Sequence, residues 1–190
     1  MKAFTFDLEE KRILLRFARE VIAAKLRHQA PPPVPDNIPL LAEQGACFVT
    51  LHTADGNLRG CIGNINAIEA LGENISHNAE NAAFNDPRFQ RVGSLAELES
   101  LVVEISVLTP MAEIDSPEKF EVGKHGIVMM LHGRSAVFLP QVAPEQGWDR
   151  ATTLEYLGMK AGLPRDAWKD SRARFFVFEA IVFSENEQAG

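Results

Sequence analysis

Between residues 55 and 64 the chain reads DGNLRGCIGN, which sets Arg59 two residues before Cys61 among three glycines. A cysteine attacks electrophiles as its thiolate, and a neighbouring cation such as Arg59 favours that form. His52 lies a few residues upstream as a candidate base, and His125 is a second candidate to move a proton. The guanidinium fork of Arg59 also suits a carboxylate or phosphate on a small ligand. Each reading has a structural counterpart. Free cysteine is among the most buried residue types, so Cys61 reads equally as an inert thiol in a tight corner. Arg59 reads equally as an ion-pair partner of Asp86 or Glu104.

Strand alternation must position these groups. GACFVTLHT and LRGCIG flank ADGN, and an Asp-Gly pair between two such runs predicts a hairpin with positive φ at Gly56. With Asp55 and Gly56 as the loop, Ala54 faces Asn57, His52 faces Arg59 and Thr50 faces Cys61. Because side chains alternate across a strand, Thr50, His52, Arg59 and Cys61 share one face. Cys47, Val49, Leu51, Leu58, Gly60 and Ile62 then share the other, the expected core side. His52 is diagonal to Cys61, roughly 7 to 8 Å away at the backbone. The two cysteines point to opposite faces, so a disulfide between them is not expected.

Helices come before and after the hairpin. Asp7 and Glu10 form a capping-box pattern, and Leu14, Phe17, Ala18, Val21 and Ile22 recur with helical spacing. The Pro-rich stretch 30–39 then imposes an extended connector. AIEALGENISHNAENAAF reads as a second helix with Ile68, Leu71, Ile75, Ala79 and Ala82 on its apolar stripe. Asn74, Asn78, Asn81 and Asn85 form a second stripe, either a solvated face or an amide-lined wall on which Asn81 is a candidate ligand contact. In NDPRF, Pro87 ends this helix, Phe89 packs, and Arg88 either pairs locally or contacts a ligand.

Farther along, LVVEISVLT alternates as a half-buried strand, and GIVMML and SAVFLP straddle HGR as a hairpin. DRATTLEYLGMKAG is a helix closing at Gly162. RARFFVFEAIVFS reads as one long strand, apolar on both faces, hence central in a sheet or part of an interface. The loop PQVAPEQGWD holds Gln141, Glu145 and Trp148 where polar and aromatic groups line a cleft or anchor the loop. Helices and antiparallel hairpins without regular βαβ alternation indicate an α+β fold.

Composition restricts the function classes. Of 190 residues, 19 are Lys or Arg and 26 Asp or Glu, a formal net charge of -7. That charge disfavours nucleic acid as a partner. No apolar run reaches the roughly 18 residues of a membrane span, and the acidic N-terminal stretch does not resemble a secretory signal, so a cytoplasmic address is expected. Two cysteines and scattered histidines, His77 and His132 among them, show no metal-ligand spacing. No metal or cofactor is expected, and phosphate-loop, dinucleotide, zinc-protease and nucleophile-elbow motifs are absent.

LRGCIG (58–63), AAFNDPRF (82–89), VEISVLTP (103–110), VGKHGIVM (122–129), FLPQVAPEQGWD (138–149) and KAGLPRDAW (160–168) together resemble the AMMECR domain family, also called AmmeMemoRadiSam system protein A. The six motifs are collinear and span nearly the whole chain. The resemblance implies one AMMECR-type domain over residues 1–190, a compact α+β fold of two lobes with antiparallel or mixed sheets flanked by helices. It also implies a setting beside Memo-type and radical SAM proteins. Where many relatives resemble CxKAGL, this chain has Gly158 in the cysteine's place, which removes a second thiol from that helix.

Two functional expectations result. In the first, an accessory protein binds a small molecule or protein partner at a cleft near LRGCIG, with Arg59, Asn81, Arg88, Gln141 and Trp148 as candidate ligand contacts. In the second, a cysteine-dependent enzyme uses Cys61 as nucleophile on a small electrophile, with His52 or His125 moving the proton.

Overall fold

The computed structural model describes residues 5–186, so the first four residues of the acidic N-terminal stretch lie outside the described residues. The chain runs through α1 (Leu8–Leu26), β1 (Gln44–Thr53), β2 (Leu58–Gly63), β3 (Glu69–Ala70), α2 (Leu71–Phe84), α3 (Leu95–Glu99) and β4 (Leu101–Leu108). It continues through β5 (Ala112–Ile114), β6 (Gly126–Leu131), β7 (Arg134–Phe138), α4 (Val142–Gln146), α5 (Arg150–Lys160), β8 (Arg174–Phe178) and β9 (Ala180–Ser184). Two compact units result, one from residues 1–108 with 181–190 and one from residues 109–180. The architecture is α+β with antiparallel sheets. Among the described residues no helix is long and apolar enough to cross a membrane.

The first unit is built on a sheet of order β2-β1-β4-β9, with β3 paired to β1. Cys47, Val49, Leu51, Val103, Ile105 and Val107 project from β1 and β4 onto one face and are fully buried. Helices α1 and α2 belong to the same core, with Leu14, Phe17, Ala18, Val21 and Ile22 from one and Leu71, Ile75, Ala79 and Ala82 from the other. Each fully buried branched or aromatic side chain contributes roughly 1.5 to 3 kcal/mol relative to exposure. Helix α1 starts where the sequence signals, because Asp7 accepts from the Glu10 N–H and Glu10 accepts from the Asp7 N–H, both at 2.9 Å. Helix α2 starts later than its periodicity suggests. Glu69 and Ala70 pair with β1 as a short strand, which leaves Ile68 exposed ahead of the helix.

The second unit holds a sheet of order β5-β8-β6-β7, with Phe120, Ile127, Met129, Leu154, Leu157 and Phe175 in its core. His132 and Gly133, both at positive φ, close the β6–β7 hairpin. Helix α5 is capped by Asp149, which accepts from the Thr152 N–H at 2.8 Å. The C-terminal apolar run is two strands rather than one. Its first half, β8, pairs with β5 and β6, whereas its second half, β9, joins the other sheet beside β4. The run breaks at Glu179, whose N–H donates to Thr109 Oγ1 and whose carbonyl accepts from the Thr109 N–H, both at 2.8 Å.

The first hairpin also departs from the expected register near its tip. The Thr53 N–H donates to the Asn57 carbonyl and the Gly56 N–H to the Thr53 carbonyl, so the loop holds three residues, with Gly56 at φ 85°. His52 therefore pairs with Leu58 instead of Arg59. A bulge at Arg59 absorbs the extra residue and restores the pairs Leu51–Gly60 and Thr50–Cys61. Leu58, expected in the core, lies opposite His52 and is exposed.

Gly60 marks the closest approach of this hairpin to α2, because a Cβ there would sit 2.2 Å from the Ala82 carbonyl oxygen. Gly60→Ala is expected to destabilise the protein by about 3 kcal/mol through overpacking against backbone, read as a lower urea midpoint with an unchanged m-value.

Candidate functional site

Strand β2 lies at one edge of its sheet and is fastened to the end of α2 through Asp86. This carboxylate is 5% exposed and accepts from the Cys61 N–H at 2.9 Å. It also accepts from Arg88: from Nη2 at 2.8 Å, and from Nε and the backbone N–H at 3.0 Å. Arg88 Nη2 in turn donates to the Cys61 carbonyl at 3.1 Å. The outward N–H and C=O of Cys61 are thus both satisfied by side chains, as an adjacent strand would satisfy them. Hydrogen bonds from the Arg88 guanidinium, joined by those from the backbone, hold the Asp86 carboxyl far below the usual carboxylate range.

Arg59 does not pair with Asp86 or Glu104, the partners expected of it. The bulge re-aims it toward α3, where Nε and Nη2 donate to Glu97 at 3.1 and 2.7 Å and Nη1 donates to the Gln90 carbonyl at 2.6 Å. Glu97 also accepts from the Gly93 N–H at 2.8 Å. That bond first, and Arg59 after it, holds its carboxyl below the ordinary value. Sequence reasoning missed Glu97, because a five-residue helix carries too little periodicity to be seen.

With both arginines occupied, the face beside Cys61 is defined by a cross-strand row. Thr50 on β1 is the register partner of both Cys61 on β2 and Glu104 on β4, and the three project to the side opposite the core. The Thr50 hydroxyl donates to Cys61 Sγ at 3.3 Å. His52, two residues along β1 on the same face, has Nε2 3.8 Å from Glu104 Oε1. Thr50 is buried, whereas Cys61, His52 and Glu104 are half-buried. Cys47 is sealed in the core, burial pushes its thiol up to about 12, and both cysteines are free.

The asparagine stripe divides into two pairs. Asn74 and Asn78 are buried, and they serve the β1 backbone where β2 has ended. The Cys47 N–H donates to Asn74 Oδ1 at 2.9 Å, and Asn78 Nδ2 donates to the Cys47 carbonyl at 3.1 Å. Asn64 Oδ1 links the two, accepting from Asn74 at 2.7 Å and Asn78 at 3.1 Å. Asn81 is half-buried, and its Oδ1 accepts from the exposed Asn85 at 2.8 Å. Burial of the first pair was not legible, because a stripe of identical amides looks the same whether strand backbone or water faces it.

The other site candidates belong to the second unit. His125 Nδ1 accepts from the Glu121 N–H at 3.1 Å, and its Nε2 is 3.9 Å from Glu179 Oε1. Gln141 is exposed at the start of α4, and Trp148 stacks on Tyr156 with centroids 4.3 Å apart and meets Phe138 edge-on. At Gly158 a Cβ would lie 3.0 Å from the Pro164 carbonyl oxygen, a packed position. Among the described residues no group of three or more His, Cys, Asp or Glu side chains is arranged to hold a metal.

Asp86 has a depressed folded pKa, so its stabilisation is complete above the ordinary aspartate range and is lost as the pH falls toward the folded value. Asp86→Asn is therefore expected to cost about 2 kcal/mol at neutral pH. The gap between variant and parent should narrow below about pH 4. Denaturant titrations of both proteins at several pH values measure it.

The AMMECR1 family model matches residues 15–183. The chain is 41% identical to protein MK0488 of Methanopyrus kandleri, covering 96% of this chain and 92% of that one. It is 39% identical to protein MJ0810 of Methanocaldococcus jannaschii, covering 96% and 94%. The crystal structure of PH0010 from Pyrococcus horikoshii superposes with a TM-score of 0.84 at 38% identity, over 96% of this chain and 94% of that one. With the family model spanning both units and the fold shared at that level, the chain belongs to the AMMECR1 family.

Proposed function

We propose that the chain acts over residues 1–190 as one AMMECR-type domain, a cytoplasmic accessory protein that binds a small molecule or a protein partner at the LRGCIG face. One observation carries this reading. The arginines on either side of Cys61 are both committed to structural carboxylates, so the motif builds a fixed wall around a half-buried thiol. Thr50, Cys61, His52 and Glu104 supply that wall with a hydroxyl, a thiol, an imidazole and a carboxylate. The collinear motifs support Memo-type and radical SAM proteins as the working partners. Arg59 and Arg88 serve as positioning residues for the wall, while Asn81, Gln141 and Trp148 are further candidate contacts.

The test is association with a purified Memo-type or radical SAM protein, followed by calorimetry. Labelling Cys61 with a bulky maleimide should weaken association at least tenfold, and Cys61→Ser should leave it within about twofold, a change below 0.5 kcal/mol. Undiminished binding by the labelled protein would contradict a partner site at this face.

A second reading is favoured by the row itself. Cys61 shares its face with a His52–Glu104 pair, the arrangement of a nucleophile near a base that is oriented by a carboxylate. In that enzyme the Cys61 sulfur adds to an electrophilic carbonyl carbon, the carbon–oxygen π pair moves onto the oxygen, and His52 takes the thiol proton. It requires His52→Gln and Glu104→Gln each to slow alkylation of Cys61 by iodoacetamide severalfold. The binding reading requires both variants to match the parent.

A further inference from the structure

Strands β4 and β9 are neighbours in the first sheet, and the chain between them is the whole of the second unit, residues 109–180. That unit stands where a hairpin loop would. Its two ends are tied to each other by the Thr109–Glu179 hydrogen bonds, and its core is a cluster separate from that of the first unit. Strand β9 does not depend on the insert for its place. The Glu185 N–H donates to the Val103 carbonyl at 3.1 Å, and Glu185 Oε2 accepts from the Val103 N–H at 2.7 Å. Arg19 locks this end, donating from Nε to Glu185 at 2.7 Å and from Nη1 and Nη2 to the Leu98 and Leu101 carbonyls at 2.8 and 2.6 Å.

We infer that the second unit unfolds and refolds by itself while the first unit, with the Cys61 face, stays folded. Two observations make the second unit the weaker one. A unit of roughly 70 residues buries a smaller fraction of its surface than a larger one. Within it the Trp168 Nε1–H is buried with no hydrogen-bond acceptor, a loss that unfolding repairs, because water then satisfies the indole. Opening the insert costs the first unit little. Closure entropy grows only logarithmically with loop length, so a disordered connection of roughly 70 residues is tolerated between strands that the Arg19–Glu185 clamp already holds. The groups that build the Cys61 face, from Thr50 through Asp86 to Glu104, all lie in residues 1–108. The fold thus contains a part that opens on its own without disturbing that face.

The experiment takes the full-length protein through a urea series. Its two tryptophans, Trp148 and Trp168, both lie in the second unit, so tryptophan fluorescence reports that unit. Cys47 is sealed in the core of the first, so a brief iodoacetamide pulse, read at Cys47 by peptide mass spectrometry, reports the other. The fluorescence midpoint should fall below the Cys47 midpoint by about 0.5 M urea or more. Leu157→Ala, in the second core, should lower the fluorescence midpoint or leave that unit without a folded baseline, with Cys47 still protected up to the parent's midpoint. Arg19→Gln should do the reverse, lowering the Cys47 midpoint and leaving the fluorescence midpoint in place. Coincident midpoints in the parent, a Cys47 transition that precedes the fluorescence one, or an equal shift of both by Leu157→Ala overturns the inference.

Discussion

The Asp86 carboxylate is the point on which the arrangement around Cys61 depends. A buried, ionised carboxylate is tolerated only when its lone pairs are met by donors. Asp86 meets that requirement with the Cys61 N–H and with Arg88, and in doing so fastens the edge of β2 to the end of α2. Gly60 enforces the same contact sterically, since no side chain fits between β2 and the Ala82 carbonyl. The hairpin is thereby held against the helix by charge on one side and by close packing on the other. An edge strand otherwise open to another chain is closed by two charged residues.

Rigidity at this corner determines what the motif can do. Arg88 is spent on Asp86 and the Cys61 carbonyl, and Arg59 on Glu97 and the Gln90 carbonyl. The remaining chemistry belongs to the side chains that the ladder lines up across three strands, namely Cys61, Thr50 and Glu104, with His52 beside them. These groups come from strands pinned by a fully buried core. In the second unit, His125 accepts from the Glu121 N–H and Trp148 stacks on Tyr156.

Much of this was legible from residue types alone. The first helix carries its own start signal in Asp7 and Glu10, and its buried face follows directly from 3.6-residue spacing. Thr50 opposite Cys61 was also legible, because the longer loop and the bulge at Arg59 offset each other. What escaped depends on contacts distant in sequence. Arg59 finds Glu97 only because the bulge turns it toward a helix too short to announce itself. The apolar run around Glu179 gives no hint of a break, since both halves are strand-like and only their partners differ. Asn74 and Asn78 are buried because the β1 backbone needs partners where β2 ends.

The account makes Cys61 an accessible part of a fixed wall and Cys47 a sealed part of the core. Alkylation of both cysteines in the native protein, quantified by peptide mass spectrometry across pH, tests that contrast most directly. The account predicts that Cys61 is modified while the fold is intact and that Cys47 is modified only when the protein unfolds. Protection of Cys61 until unfolding, or modification of both cysteines at one rate, would contradict it.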